Sequence, residues 1–133
     1  VIFFPKIATL KTMFEDTEHS HACPTVTGTP ISVKAVLTKE EDVFEKKGIL
    51  FVDPVLHFND EELLEYELFN AFKKILGISR KENKLAVKEG FSCLEEYKKK
   101  IEKLGREVLE EVEREGRFAI LVLARPYHND PGV

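Results

Sequence analysis

The sequence predicts an α/β fold, a short parallel Rossmann-like sheet sandwiched in three layers with long amphipathic helices. Three observations carry that prediction. Residues 1–4, 49–52 and 118–123 are short runs that are apolar without alternation, the pattern of strands buried on both faces. Stretches with apolar residues three and four apart separate those runs. The resulting order, strand, helices, strand, helices, strand, implies a sheet covered on both sides by right-handed crossovers. A chain of 133 residues is enough for one domain with a real core.

The elements follow in order. Val1-Ile2-Phe3-Phe4 reads as a strand closed by Pro5, and residues 6–27 as a long loop without a sustained period. Thr29 with Pro30 starts a helix, as a cap followed by a proline suited to the first helical position. Thr38 with Glu41 is a capping-box pattern that restarts the helix as far as Gly48. Ile49-Leu50-Phe51-Val52 is the second strand, ended by Asp53-Pro54. Asn59 with Glu62 opens a helix with an apolar face at Leu64, Leu68, Phe72 and Ile75, closed by Gly77. Ser79 with Glu82 opens a short helix that Gly90 ends. Phe91, Leu94, Tyr97, Ile101, Leu104, Val108 and Val112 then mark a long amphipathic helix that stops at Gly116, before the third strand. Three short strands leave two open edges, so further strands or a second copy of the chain in a homodimer are expected to cover them.

Composition narrows the function classes. The net charge of -4 argues against a nucleic-acid partner. No apolar run reaches the roughly 20 residues that span a bilayer, and there is no basic, cleavable leader pattern. Two cysteines are too few for a disulfide framework, so a cytoplasmic setting is expected. Lys and Glu dominate the surface-like stretches and Gln is absent, the pattern of a heat-adapted (thermophile) protein. The chain opens in strand-like sequence and stops at Pro131-Gly132-Val133. The reading is one α/β domain, residues 1–133, within a larger multidomain polypeptide.

Ligands of open parallel sheets bind outside the carboxyl ends of the strands. The first candidates are therefore Lys6, Asp53, His57 and the cluster Arg125, Tyr127, His128, Asp130. Arg125 suits a carboxylate or phosphate. His128 suits acid–base work with Asp130 orienting it. The competing reading of that cluster is a strand-end turn, since Pro126 and Asp130-Pro131-Gly132 are turn chemistry. His19, His21 and Cys23 alternate and suit either three zinc ligands of a hydrolytic site or a solvated loop. Cys23 before Pro24 suits an iron–sulfur ligand or a packed loop residue; a four-iron cluster needs about four such ligands. Cys93, between Phe91 and Leu94, reads as packing. No phosphate-loop or nucleophile-elbow motif is present.

The strings Ala22-Cys23-Pro24-Thr25-Val26-Thr27-Gly28-Thr29-Pro30, Gly48-Ile49-Leu50-Phe51-Val52-Asp53-Pro54 and Leu123-Ala124-Arg125-Pro126-Tyr127-His128-Asn129-Asp130-Pro131-Gly132 resemble the activators of (R)-2-hydroxyglutaryl-CoA dehydratase. These are also called CoA-substrate-specific enzyme activase-related proteins. The resemblance extends over nearly the whole chain and is closest to the dehydratase-like region. It implies iron–sulfur-linked electron transfer to or within an acyl-CoA dehydratase system. It also implies a [4Fe-4S] cluster in the full-length protein, with Cys23 as one ligand, and none in the isolated domain. The implied partners are other domains of the same polypeptide, acyl-CoA dehydratase subunits and an acyl-CoA ligand. Arg125, Tyr127 and Asp53 become ligand-binding candidates, and His128 and Asp130 catalytic ones. A docking domain without chemistry of its own is the alternative. Ala124, where the family has glycine, and the pair His19 and His21 depart from the pattern.

Overall fold

In a computed structural model, residues 1–12 and 20–124 are described. The elements run β1 (Ile2–Phe3), β2 (Lys6–Thr9), α1 (Pro24–Leu37), α2 (Val43–Lys46), β3 (Phe51–Val52), β4 (Val55–His57), α3 (Glu61–Leu76) and α4 (Arg80–Glu115). The chain forms two compact units, one of Val1–Phe91 and one beginning at Ser92.

In the first unit β1 pairs with β3 and β2 with β4, both in parallel. Ile2 lies opposite Phe51, Lys6 opposite Val55 and Ile7 opposite Leu56, so one register runs as far as Ile7; it then shifts by one residue, bringing Thr9 opposite His57. The four segments are thus one two-stranded ribbon, interrupted at Pro5 and Pro54. The prolines expected to end the strands do not end them, for a geometric reason. In a parallel ladder alternate residues face the partner strand. Phe4 N–H donates to the Val52 carbonyl at 2.9 Å and Lys6 N–H to the Pro54 carbonyl at 2.8 Å. Pro5, between them, faces away, and its missing N–H costs the ladder nothing. Pro54 does face the partner and removes one bond, which is the break.

Alternation then sorts the side chains. Leu56 is 1% exposed and meets Leu64 of α3 and Val87 of α4, with Ile7, Phe58, Leu68 and Phe91 packed around them. Phe3 stands edge-on to Phe72 of α3, with ring centroids 5.0 Å apart. Residues of opposite parity meet α1 and α2: Phe51 touches Phe44, and Lys34 lies 5.4 Å from the centre of the Phe51 ring. The result is a mixed helix–strand fold with small parallel sheets.

Several helix boundaries differ from those the sequence predicts. α1 begins at Pro24, with Cys23 at the N-cap position, so Pro30 is inside the helix and fully buried. A proline suits the first helical position, and Pro24 takes it first. Thr38 ends α1 rather than capping the next helix; its N–H and its hydroxyl both bond the Lys34 carbonyl. Asp42 caps α2 instead, accepting from Phe44 N–H and Glu45 N–H. Asp60, not Asn59, caps α3 by accepting from Leu63 N–H at 3.0 Å. The Asn59 side chain is engaged by the Thr9 hydroxyl. The Ser79–Glu82 box forms as expected, and the N–H and hydroxyl of Ser79 hold the Glu82 carboxyl below its ordinary range. Gly48 and Gly77, both with φ above +60°, terminate their helices in the left-handed region.

Gly90 does not end a helix: α4 continues to Glu115. Residues on either side are good helix formers, and one glycine costs too little to stop them. Asn83 of α4, 5% exposed, donates its side-chain amide to the Glu65 carbonyl of α3 at 2.8 Å.

In the second unit α4 exposes Leu94, Tyr97, Ile101, Leu104 and Val108 along one stripe. Gly116 closes the helix, and Arg117 turns back to pair with Glu111 and Glu115. Residues 118–123, expected as a third strand, take part in no ladder among the described residues, and Phe118, Ile120 and Leu123 are almost fully exposed. A strand exists only where its N–H and C=O groups meet a partner, and none does so there. No helix among the described residues is long and apolar enough to cross a membrane.

Two substitutions test this arrangement by chemical denaturation. Leu56→Ala should lower stability by about 2–5 kcal/mol, the range for emptying a filled core site. Nothing lies within 4 Å of a Cβ built on Gly90, so Gly90→Ala should instead raise stability, by ~0.5–1 kcal/mol.

Candidate functional site

Polar side chains gather at two levels of the ribbon. The first is the proline break. Asp53 Oδ2 accepts from Lys6 Nζ at 3.0 Å and Asp53 Oδ1 from Lys34 Nζ at 3.1 Å. One carboxylate thereby ties both strands to α1. Burial pushes the Asp53 carboxyl up, but the hydrogen bonds and charges of Lys6 and Lys34 together outweigh it and hold the group below its usual range. Both of its oxygens are engaged, which makes Asp53 a bridging residue of the ribbon. Lys34, which completes the bridge, carries no mark in the sequence; only the packing of α1 shows its role.

The second level is the carboxyl end of the ribbon. Thr9 lies opposite His57 of β4 on one side and opposite His21 of the returning chain on the other. Its hydroxyl donates to Asn59 Oδ1. His57 is held twice by Glu67 of α3: Nδ1 lies 2.6 Å from Oε1, and the backbone N–H donates to Oε2 at 3.0 Å. The His57 side chain is 31% exposed, whereas Glu67 is 14% exposed. Glu67 and Asn59 were not legible as site residues, because α3 reads as an ordinary amphipathic helix and the contact joins it to a strand end.

Cys23, half-buried, follows the His21 bridge directly and precedes the first turn of α1. His21 is exposed, and its backbone bridge to Thr9 fixes it in the ribbon. Among the described residues no group of three or more His, Cys, Asp or Glu side chains is placed to hold a metal ion. A cluster needing about four ligands therefore finds at most one here, Cys23. His19, Arg125, Tyr127, His128 and Asp130 lie outside the described residues. Cys93 is exposed on α4 rather than packed.

A family model described as the CoA enzyme activase uncharacterised domain matches residues 1–133. The chain belongs to that family. The match spans the ribbon, its carboxyl end and the Arg125–Asp130 motif together, so it agrees with the resemblance carried by the three motif strings. No curated protein and no solved structure matches the chain.

The Asp53 bridge gives this family member a testable acid response. A carboxyl whose folded pKa is depressed contributes stability that is fully present above its unfolded value, 3.8, and is lost as pH falls through the lower folded value. Urea midpoints measured below pH 4 should fall with pH, and Asp53→Asn should remove that part of the slope while lowering the midpoint at neutral pH.

Proposed function

We propose that this chain is a domain of an activator of 2-hydroxyglutaryl-CoA dehydratase, serving iron–sulfur-linked electron transfer to or within an acyl-CoA dehydratase system. The observation that carries the reading is the family match over all 133 residues, together with the motif strings that resemble that group. In this reading the domain works inside a larger polypeptide, with acyl-CoA dehydratase subunits as partners. Arg125 and Tyr127 bind an acyl-CoA ligand, and His128 with Asp130 provides acid–base chemistry. The described residues do not make a cluster site alone. Cys23 would supply one thiolate of a [4Fe-4S] group, with the remaining ligands coming from elsewhere in the polypeptide or from a partner. The helix start behind Cys23 supports a thiolate there. Within the larger polypeptide the sheet is three-layered and Rossmann-like, with residues 118–123 as its third strand; the exposed apolar side chains of that segment support this.

A docking role without chemistry is the second reading. The stripe Leu94, Tyr97, Ile101, Leu104 and Val108 favours it, being apolar and exposed.

Iron content and the visible spectrum, measured on the full-length protein purified without oxygen, separate the readings. A brown protein whose iron falls in Cys23→Ser supports the cluster role. Equal iron in both returns Cys23 to packing. Calorimetry with 2-hydroxybutyryl-CoA should show binding that Arg125→Ala weakens; binding by neither protein leaves the docking role.

A further inference from the structure

The carboxyl end of the ribbon holds a histidine whose two ring nitrogens have different fates. Glu67 is acceptor-only when ionised, so the 2.6 Å contact fixes the proton of His57 on Nδ1. The same carboxylate also takes the His57 backbone N–H at 3.0 Å, which locks the position of the residue as well as its tautomer. In the neutral ring Nε2 is then an acceptor lone pair, and among the described residues the ring's hydrogen bonding runs through Nδ1 alone. Its side chain is 31% exposed and sits at the end of β4, where parallel sheets bind their ligands. A carboxylate oriented on one imidazole nitrogen is the arrangement that readies the other for a proton.

We propose that His57 is a ligand-contacting residue whose Nε2 accepts a hydrogen bond from a hydroxyl of the bound molecule, with Glu67 as the positioning residue. The ligand class is a hydroxyl-bearing acyl thioester, which rests on the acyl-CoA reading above. No covalent step is involved: the hydroxyl proton is shared with Nε2, while the proton on Nδ1 stays on the Glu67 side. Thr9, Asn59 and His21 border the same end of the ribbon, and Glu67 is the carboxylate that meets the ring.

The test compares 2-hydroxybutyryl-CoA with butyryl-CoA by calorimetry on the full-length protein. One neutral hydrogen bond is worth enough that the wild type should prefer the hydroxy ester by roughly three- to tenfold. His57→Asn keeps an amide donor near the Nδ1 position for Glu67 but lacks Nε2; it should retain the thermal midpoint and lose the preference. His57→Gln places its amide near the Nε2 position and gives up the Glu67 bond; it should lower the midpoint. If both esters bind the wild type equally, or if His57→Asn keeps the preference, His57 is only a clamp and this inference fails while the acyl-CoA reading stands. If neither ester binds, both fail.

Discussion

The parallel pairing of residues 2–9 with 51–57 is the constraint on which the first unit depends. Parallel strands cannot be joined by a tight turn, so the pairing has to be reached across the whole of α1 and α2. It has no local origin: it is held by what lies on the two faces of the ribbon. Leu56 and Ile7 are driven against α3 and α4 by burial, while Phe4, Phe51 and Phe44 cluster toward α1 and α2. Ladder hydrogen bonds then fix the register, and even the gap left by Pro54 does not shift it.

Side chains complete what the short ladder leaves open. The Thr27 hydroxyl donates to the Ile7 carbonyl, which faces away from the partner strand. Ala22 N–H donates to the Ala8 carbonyl at 3.0 Å, bringing the segment before Cys23 alongside β2. On the outer side of β4, Glu67 takes the His57 N–H. Edge groups that would otherwise wait for another strand are thus partly engaged from within. Asp53 does the equivalent work between strands and helix, where two ammonium groups share one carboxylate.

This economy places chemically capable groups at the carboxyl end of the ribbon. His57, Thr9, His21 and Cys23 come from three separate stretches of sequence, and backbone pairing brings the stretches together. A strand end is a favourable place for a ligand because the backbone there leaves the ladder and its polar groups turn outward. The family match covers this region as well as the Arg125–Asp130 string, so the two regions named from sequence lie within one family domain.

The sequence by itself determined the α/β class, the long helices, three glycine stops and the Ser79–Glu82 box, because each depends on residues a few positions apart. It also determined family membership, through strings of specific residues. Proline misled at Pro5 and Pro54, since a local rule cannot tell which edge of a strand the missing N–H faces. Capping misled at Thr38 and Asn59, because each hydroxyl or amide had a neighbour competing for the same cap. Only the tertiary structure decided that Lys34 reaches Asp53 and that Glu67 holds His57. Those pairs join residues 19 and ten positions apart on different elements, and the register that brings them within hydrogen-bond reach comes from packing on both faces of the ribbon.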